Sequence, residues 1–343
     1  MALLALFALL VSWQTADQIP PIGIIDFYGI RSMPEAQVRQ ALDFHEGDQL
    51  SSDQFGKKMQ AAERKLEALP GIKKARLSFI CCAEGNKAIL FVGIEETGAP
   101  CQEFRTAPQG TVRLPADVVQ ASKDIDAAFE TMQEGGMEED DSRGYALFHD
   151  PGMRAVQLRF PALAEKHLTV LRDILRNSSD AADRAFAAEV LGYTKNRQFV
   201  VSDLLDAMRD ASDSVRNNAM RALMVFARYS PKAPGETVRI PAQPFVEMLN
   251  SCIWTDRNKS AAALAELTKG RDPAILTELR MHALPSLVEM ARWKSLGHGT
   301  YSLWILGRLG GLSDEAIQMK LDRRDRESMI VAALKAAQVS EVK

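Results

Sequence analysis

Two short clusters carry the side chains best suited to holding a charged partner. Arg216, Asn217, Asn218 and Arg221 form one, and Arg257, Asn258 and Lys259 the other. Each cluster falls at a helix start. There the free backbone N–H groups and the positive end of the helix dipole favour an anion, and a guanidinium can grip a carboxylate or phosphate through two bonds. The same residues admit a plainer use. Asp213 and Arg216 recur as Asp256 and Lys259 at one spacing, so the acid can cap its helix while the base reaches the acid of a neighbouring unit. A third group, Arg292, Trp293, Lys294, His298 and Tyr301, sets cations beside aromatic surface. Trp293 and Trp304 there read either as packing between helices or as part of a binding surface.

Nothing comparable points to catalysis. The five histidines (45, 149, 167, 282, 298) are scattered, and no G-x-S-x-G, H-E-x-x-H or P-loop sequence occurs. Cys81, Cys82, Cys101 and Cys252 lack C-x-x-C spacing and a nearby His pair, so no zinc site is expected. The acidic stretch 134–144 (EGGMEEDDSRG) lacks the alternation of a calcium loop and reads as a solvated loop. No enzyme, metal or cofactor is expected. The formal net charge of −3 gives no overall electrostatic footprint for nucleic acid.

The elements that must present these residues are repeated. Residues 168–196 and 199–229 each read as an apolar-periodic helix, an Asp/Ser-rich turn and a second helix. In the second copy Val201, Leu204, Leu205 and Met208 share one helical face, and Val215, Ala219, Ala222, Leu223 and Phe226 another. One helix pair cannot bury both stripes, so pairs must stack. Phe245–Ile253 with Ser260–Thr268 predicts a third pair, and Leu284–Ala291 with Tyr301–Leu309 a fourth. Ser313–Ile317 and Arg326–Ala337 then close the array, and Cys252 reads as core on an apolar helix face. Before the repeats, 145–167 predicts one or two capping helices, and 230–244 a proline-rich insertion. With its turn Asp213-Ser-Val-Arg216, the pattern resembles the HEAT-repeat family. The iron-dependent hydroxylases of that architecture use repeated His-Glu pairs, and this chain has only His45-Glu46, outside the repeats.

Ahead of this lies a different pattern. An apolar run at 22–28 ends in Gly29. Helical stretches follow, each preceded by a capping-box spacing (Ser32…Glu35 and Ser51…Gln54), and then two strands at 75–81 and 88–95. Ile24–Gly29, Leu42 to Gly47-Asp48, Leu69-Pro-Gly-Ile72-Lys-Lys-Ala75 and Val92-Gly-Ile94-Glu-Glu96 resemble the POTRA (polypeptide-transport-associated) family. That resemblance implies a β-α-α-β-β domain that binds proteins, often by adding a strand to a sheet edge.

The first eighteen residues carry an apolar run from Ala2 to Trp13, too short to span a bilayer and suited to a secretory signal. An exported chain permits a disulfide from Cys81 or Cys82 to Cys101. The expected organisation is a signal at 1–18, a POTRA-like α+β domain at 19–97, and a linker with one helix and the acidic loop at 98–144. An all-α HEAT-like superhelical solenoid follows at 145–343. The expected function is a bacterial cell-envelope or periplasmic scaffold binding protein partners, without nucleic acid and with no membrane span beyond the leader. The alternatives are a lyase-like accessory enzyme on a HEAT scaffold, or an outer-membrane or division assembly accessory working through the POTRA-like part.

Overall fold

The computed structural model describes residues 19–83, 85–99, 102–132, 138–230 and 238–341. The leader, Cys101, residues 134–137 of the acidic stretch and 231–237 of the proline-rich insertion lie outside them. Described residues within 103–244 form one compact unit, and those within 19–102 and 245–341 a second. No helix among the described residues is long and apolar enough to cross a membrane.

The chain begins with β1 (Ile22–Tyr28), α1 (Glu35–Ala41), α2 (Ser52–Glu67), β2 (Ile72–Ala83) and β3 (Lys87–Glu96). The sheet order is β1-β3-β2, with β1 parallel and β2 antiparallel to the central β3. Val38, Leu42, Met59, Ala62 and Leu66 from the helical side pack with Ile25, Ala75, Leu90, Val92 and Ile94 of the strands. Neither capping box forms, since α1 and α2 begin after Pro34 and Ser51 with no side-chain cap. Cys81 is disulfide-bonded.

Residues 103–244 contain α3 (Ala116–Glu130), a small hairpin of β4 (Glu139–Asp140) and β5 (Leu147–Phe148), α4 (Pro151–Gln157) and α5 (Phe160–Asn177). Then come α6 (Ala181–Leu191), α7 (Arg197–Ala207) and α8 (Asp213–Tyr229). Two helix pairs result, α5 with α6 and α7 with α8. The first helix of the repeat is continuous with its expected cap, since α5 runs through both with a kink at His167 (φ −115°, ψ 17°). The stretch expected as a linker is anchored. Arg105 donates from its backbone to the Arg209 carbonyl at 2.6 Å, and Gly110 exchanges backbone bonds of 2.8 Å with Asn177 and Ser179 at the α5–α6 turn.

The remaining helices are α9 (Gln243–Met248), α10 (Trp254–Leu267), α11 (Pro273–His282), α12 (Leu284–Ala291), α13 (Leu296–Leu309), α14 (Asp314–Asp322) and α15 (Arg326–Glu341). Cys252 is buried, but in the turn before α10 and not on a helix. These helices cover the sheet face that α1 and α2 leave free, so β3 is buried at every residue from Ala88 to Ile94. The Phe91 ring lies 5.5 Å from Trp254 and 4.8 Å from Trp293. A Cβ at Gly93 would stand 1.9 Å from the Cys252 carbonyl oxygen, to which Tyr28 Oη donates at 3.0 Å. A strand buried on both faces reads as a continuous apolar run, as Ala-Ile-Leu-Phe-Val does here.

The Ser32 hydroxyl that makes no helix cap serves β3 instead. It donates to Glu96 at 2.5 Å, beside the backbone N–H groups of Arg31, Ser32 and Met33 at 2.8, 3.0 and 3.0 Å. Burial raises the Glu96 pKa, but these donors more than offset it and hold the carboxyl at about 2. A depressed carboxyl contributes stability above its unfolded pKa of 4.5 and loses it as pH falls toward 2. Glu96→Gln is therefore expected to melt below wild type at pH 7, with the gap closing between pH 4.5 and 2 in a thermal-denaturation series. A gap independent of pH would contradict the assignment.

Candidate functional site

Three helices, α6, α8 and α10, carry an arginine at the same place. Arg184 in α6, Arg216 in α8 and Arg257 in α10 each stand fourth in their helix and are at most 1% exposed. Each guanidinium turns back to the carbonyl six residues earlier. Arg184 donates to Ser178 O at 2.8 Å, Arg216 to Asp210 O at 2.8 Å, and Arg257 to Ser251 O at 2.6 Å. Those carbonyls belong to the turn preceding the helix, where no ladder bond is available. Arg184 also grips the Asp210 carboxylate through Nε and Nη2 at 2.9 and 2.8 Å, tying one pair to the next. Arg105 reaches the same carboxylate at 2.5 Å. Burial pushes Asp210 up, but the two guanidiniums prevail and its carboxyl lies below the usual range.

This geometry divides the residues expected to bind a partner. Arg216 and Arg257 are consumed inside the fold, Arg216 also lying 3.8 Å from the Phe104 ring centre and Arg257 bonding Glu289 at 2.7 Å. The counterpart of Arg216 is Arg257, not Lys259, and Asp213 is the first residue of α8, not its cap. Aligning the turns instead of the aspartates would have found the register, and with it Arg184. Asn258 and Lys259 remain half-buried on α10. Trp293 packs against Tyr28 and Phe91, and His298 against Phe91 and Trp254, so both lie in the seam between sheet and helices. Burial holds the His298 pKa below its ordinary value.

Asn217 and Asn218 stay half-buried on the α6–α8 layer, and Arg221 beside them is largely covered. Asn217, Arg221 and Arg228 recur at i, i+4 and i+11, so they share the face of α8 that its packing leaves half-exposed. Asn218 bonds the Ala185 carbonyl at 3.0 Å, and Arg221 lies 3.8 Å from Glu189 of α6. The β4–β5 hairpin sits on this face. Glu139 accepts from Arg221 Nε and Nη2 at 3.1 and 2.8 Å, and Asp141 from Arg228 at 2.5 Å. The Gly144 carbonyl accepts from Arg197 Nη2 at 3.2 Å and the Ala146 carbonyl from Tyr193 Oη at 2.5 Å. Asp140, pointing the other way as strand alternation requires, pairs with Arg154 of α4 at 2.8 Å. The expected solvated loop is thus, over residues 138–144, an ordered strap. Burial opposes the Arg221 charge, but Glu139, Tyr193 and Glu189 outweigh it, and burial holds Glu189 above the usual carboxyl range.

Stacked helix pairs with one recurring buried contact define a helical repeat solenoid. A family model described as HEAT repeats matches residues 168–265, from within α5 into α10. Residues 168–265 are therefore HEAT-repeat-like, in a mostly helical chain with a small strand-containing region before them. No curated protein matches the chain. Among solved structures, a designed armadillo repeat protein in complex with the peptide (KR)4 is 16% identical, with a TM-score of 0.36, over 54% of this chain and 93% of that one. A second designed armadillo repeat protein is 18% identical, with a TM-score of 0.35, over 55% and 93%.

Breaking a buried ion pair on one side strands the other charge. Arg184→Met is expected to cost about 3–5 kcal/mol in urea unfolding, because the buried Asp210 would keep only Arg105 and the Ser212 N–H. A loss below about 1 kcal/mol would show that the pair does not hold the stack.

Proposed function

We propose that this chain is a non-enzymatic protein-interaction scaffold, exported to a bacterial envelope or periplasm, that receives an extended polypeptide on the outer face of α8. One observation carries the reading: that face already holds a segment of the chain itself, the β4–β5 hairpin, gripped at two carboxylates and two backbone carbonyls. Carbonyl contacts of this kind accept any sequence, while the arginines add selectivity.

In this proposal the strand region is POTRA-like and rides on the helices instead of recruiting partners by strand addition. Its edges support that division. On β2 the amides of Ala75 and Leu77 are taken by Glu67 and Glu63 of α2 at 3.1 and 2.9 Å. On β1, Ile25 N donates to Glu46 at 3.2 Å and Ile22 exchanges backbone bonds with Gly47 and Asp48. Occupied edges blunt pairing with another strand. The lyase-like alternative gains no support at Trp293 and His298, whose rings pack against Tyr28, Phe91 and Trp254.

A photo-crosslinking residue in place of Asn217 tests the scaffold reading in envelope fractions of the source cell. Capture of a defined partner, lost with Arg221→Glu in a protein that still melts cooperatively, is the expected result. Capture that survives the charge reversal would move the working surface elsewhere.

A further inference from the structure

Resting on the scaffold reading, we infer that the partner's binding segment is acidic and extended, and that the chain's own acidic arm, residues 138–144, occupies its place until displaced. Glu139 and Asp141, two residues apart on one side of the strap, meet Arg221 and Arg228 of the same helical face. That is the spacing at which an extended chain presents successive carboxylates to one surface. The strap is held chiefly by charge and by backbone carbonyls. Its sheet is two residues per strand, Glu139 opposite Phe148 and Asp140 opposite Leu147, too short to persist alone. The apolar anchor lies beyond the acidic arm, where the Tyr145 ring stacks on Tyr193 at 5.4 Å, Ala146, Leu147 and Phe148 are buried, and Phe148 lies 5.2 Å from the Arg221 guanidinium. A competitor bringing two carboxylates replaces the acidic arm contact for contact and leaves that anchor in place.

The strap also depends on a position that tolerates no side chain. Gly144 has φ +82°, and a Cβ there would stand 2.1 Å from Arg197 Nη2 and 2.7 Å from the Tyr229 ring. Only glycine lets the backbone come this close while its carbonyl reaches Arg197. Gly144→Ala therefore lifts the acidic arm without touching a charge, and E139Q/D141N loosens it without touching the backbone. Opening the face raises apparent affinity by the factor through which the competent state is enriched.

The experiment uses the full chain and a fluorescein-labelled peptide of alternating Glu and Ser, with a Lys/Ser peptide as control. Fluorescence anisotropy is expected to show the acidic peptide binding Gly144→Ala and E139Q/D141N at least about tenfold tighter than wild type. Adding Arg221→Gln and Arg228→Gln should abolish that binding, and the Lys/Ser peptide should not bind. Hydrogen exchange at residues 138–149 reports whether the arm has left. Faster exchange without acidic-peptide binding would overturn the acidic partner, and no faster exchange in either variant would overturn displacement. If the Asn217 crosslink still captures a partner that the acidic peptide fails to compete away, the scaffold stands and this inference falls. Loss of both would sink the two together.

Discussion

The repeats rest on a guanidinium buried at the start of α6, α8 and α10. A helix that follows a tight turn leaves turn carbonyls facing inward with no ladder partner, and leaving them bare in a dry interior is costly. Arginine suits the place because its planar fork can bond a carbonyl and a carboxylate together. Arg184 joins the Ser178 carbonyl to Asp210, and Arg257 joins the Ser251 carbonyl to Glu289. Apolar stripes can slide along one another with small loss, whereas a forked ion pair fixes the register. The ladder's last carboxylate then takes on a second task. Glu289 holds Arg257 with one oxygen and the backbone N–H of Gly29 with the other, at 2.7 Å each, and so fastens the end of β1. Gly29 can present that N–H because it adopts φ +80°, where a side chain would strike the Ile94 carbonyl.

The repeats were legible in the sequence because both stripes of a pair are apolar at helical spacing. Val201, Leu204, Met208, Val215, Ala219 and Phe226 are all at most 4% exposed. The strand-helix-helix-strand-strand order was legible for the same reason, through period and turn residues. What failed was reading whose surface a residue faces. α11 went unseen because only Leu276 and Leu279 are buried, a stripe too thin to stand out. The first capping box failed because the spacing S-x-x-E cannot say whether the serine hydroxyl is engaged elsewhere, and Ser32 donates to Glu96. The acidic stretch was read as solvated because composition is the same for a charge in water and a charge on an arginine. Only the fold supplies Arg221 and Arg228 across from it.

The contrast between Arg216 and Arg221 shows how the helix itself sorts inward-facing from outward-facing residues. Both are arginines of α8, both near its start, and by type and neighbourhood they were one cluster. Five residues turn a helix through about 500°, which leaves the two side chains about 140° apart. Arg216 consequently points into the turn and is wholly buried, where carbonyl oxygens and the Phe104 ring solvate its charge. Arg221 points to the layer's surface, where its carboxylates come from outside the helix pair, Glu189 from α6 and Glu139 from the strap. The first kind of arginine cannot be released without leaving buried carbonyls unpaired. The second can exchange one carboxylate for another at little cost, since the bonds made equal the bonds lost. Where such an exchangeable residue lies beside an intramolecular segment that satisfies it, the selectivity of the face for its partner and its restraint by the strap come from the same pair of bonds.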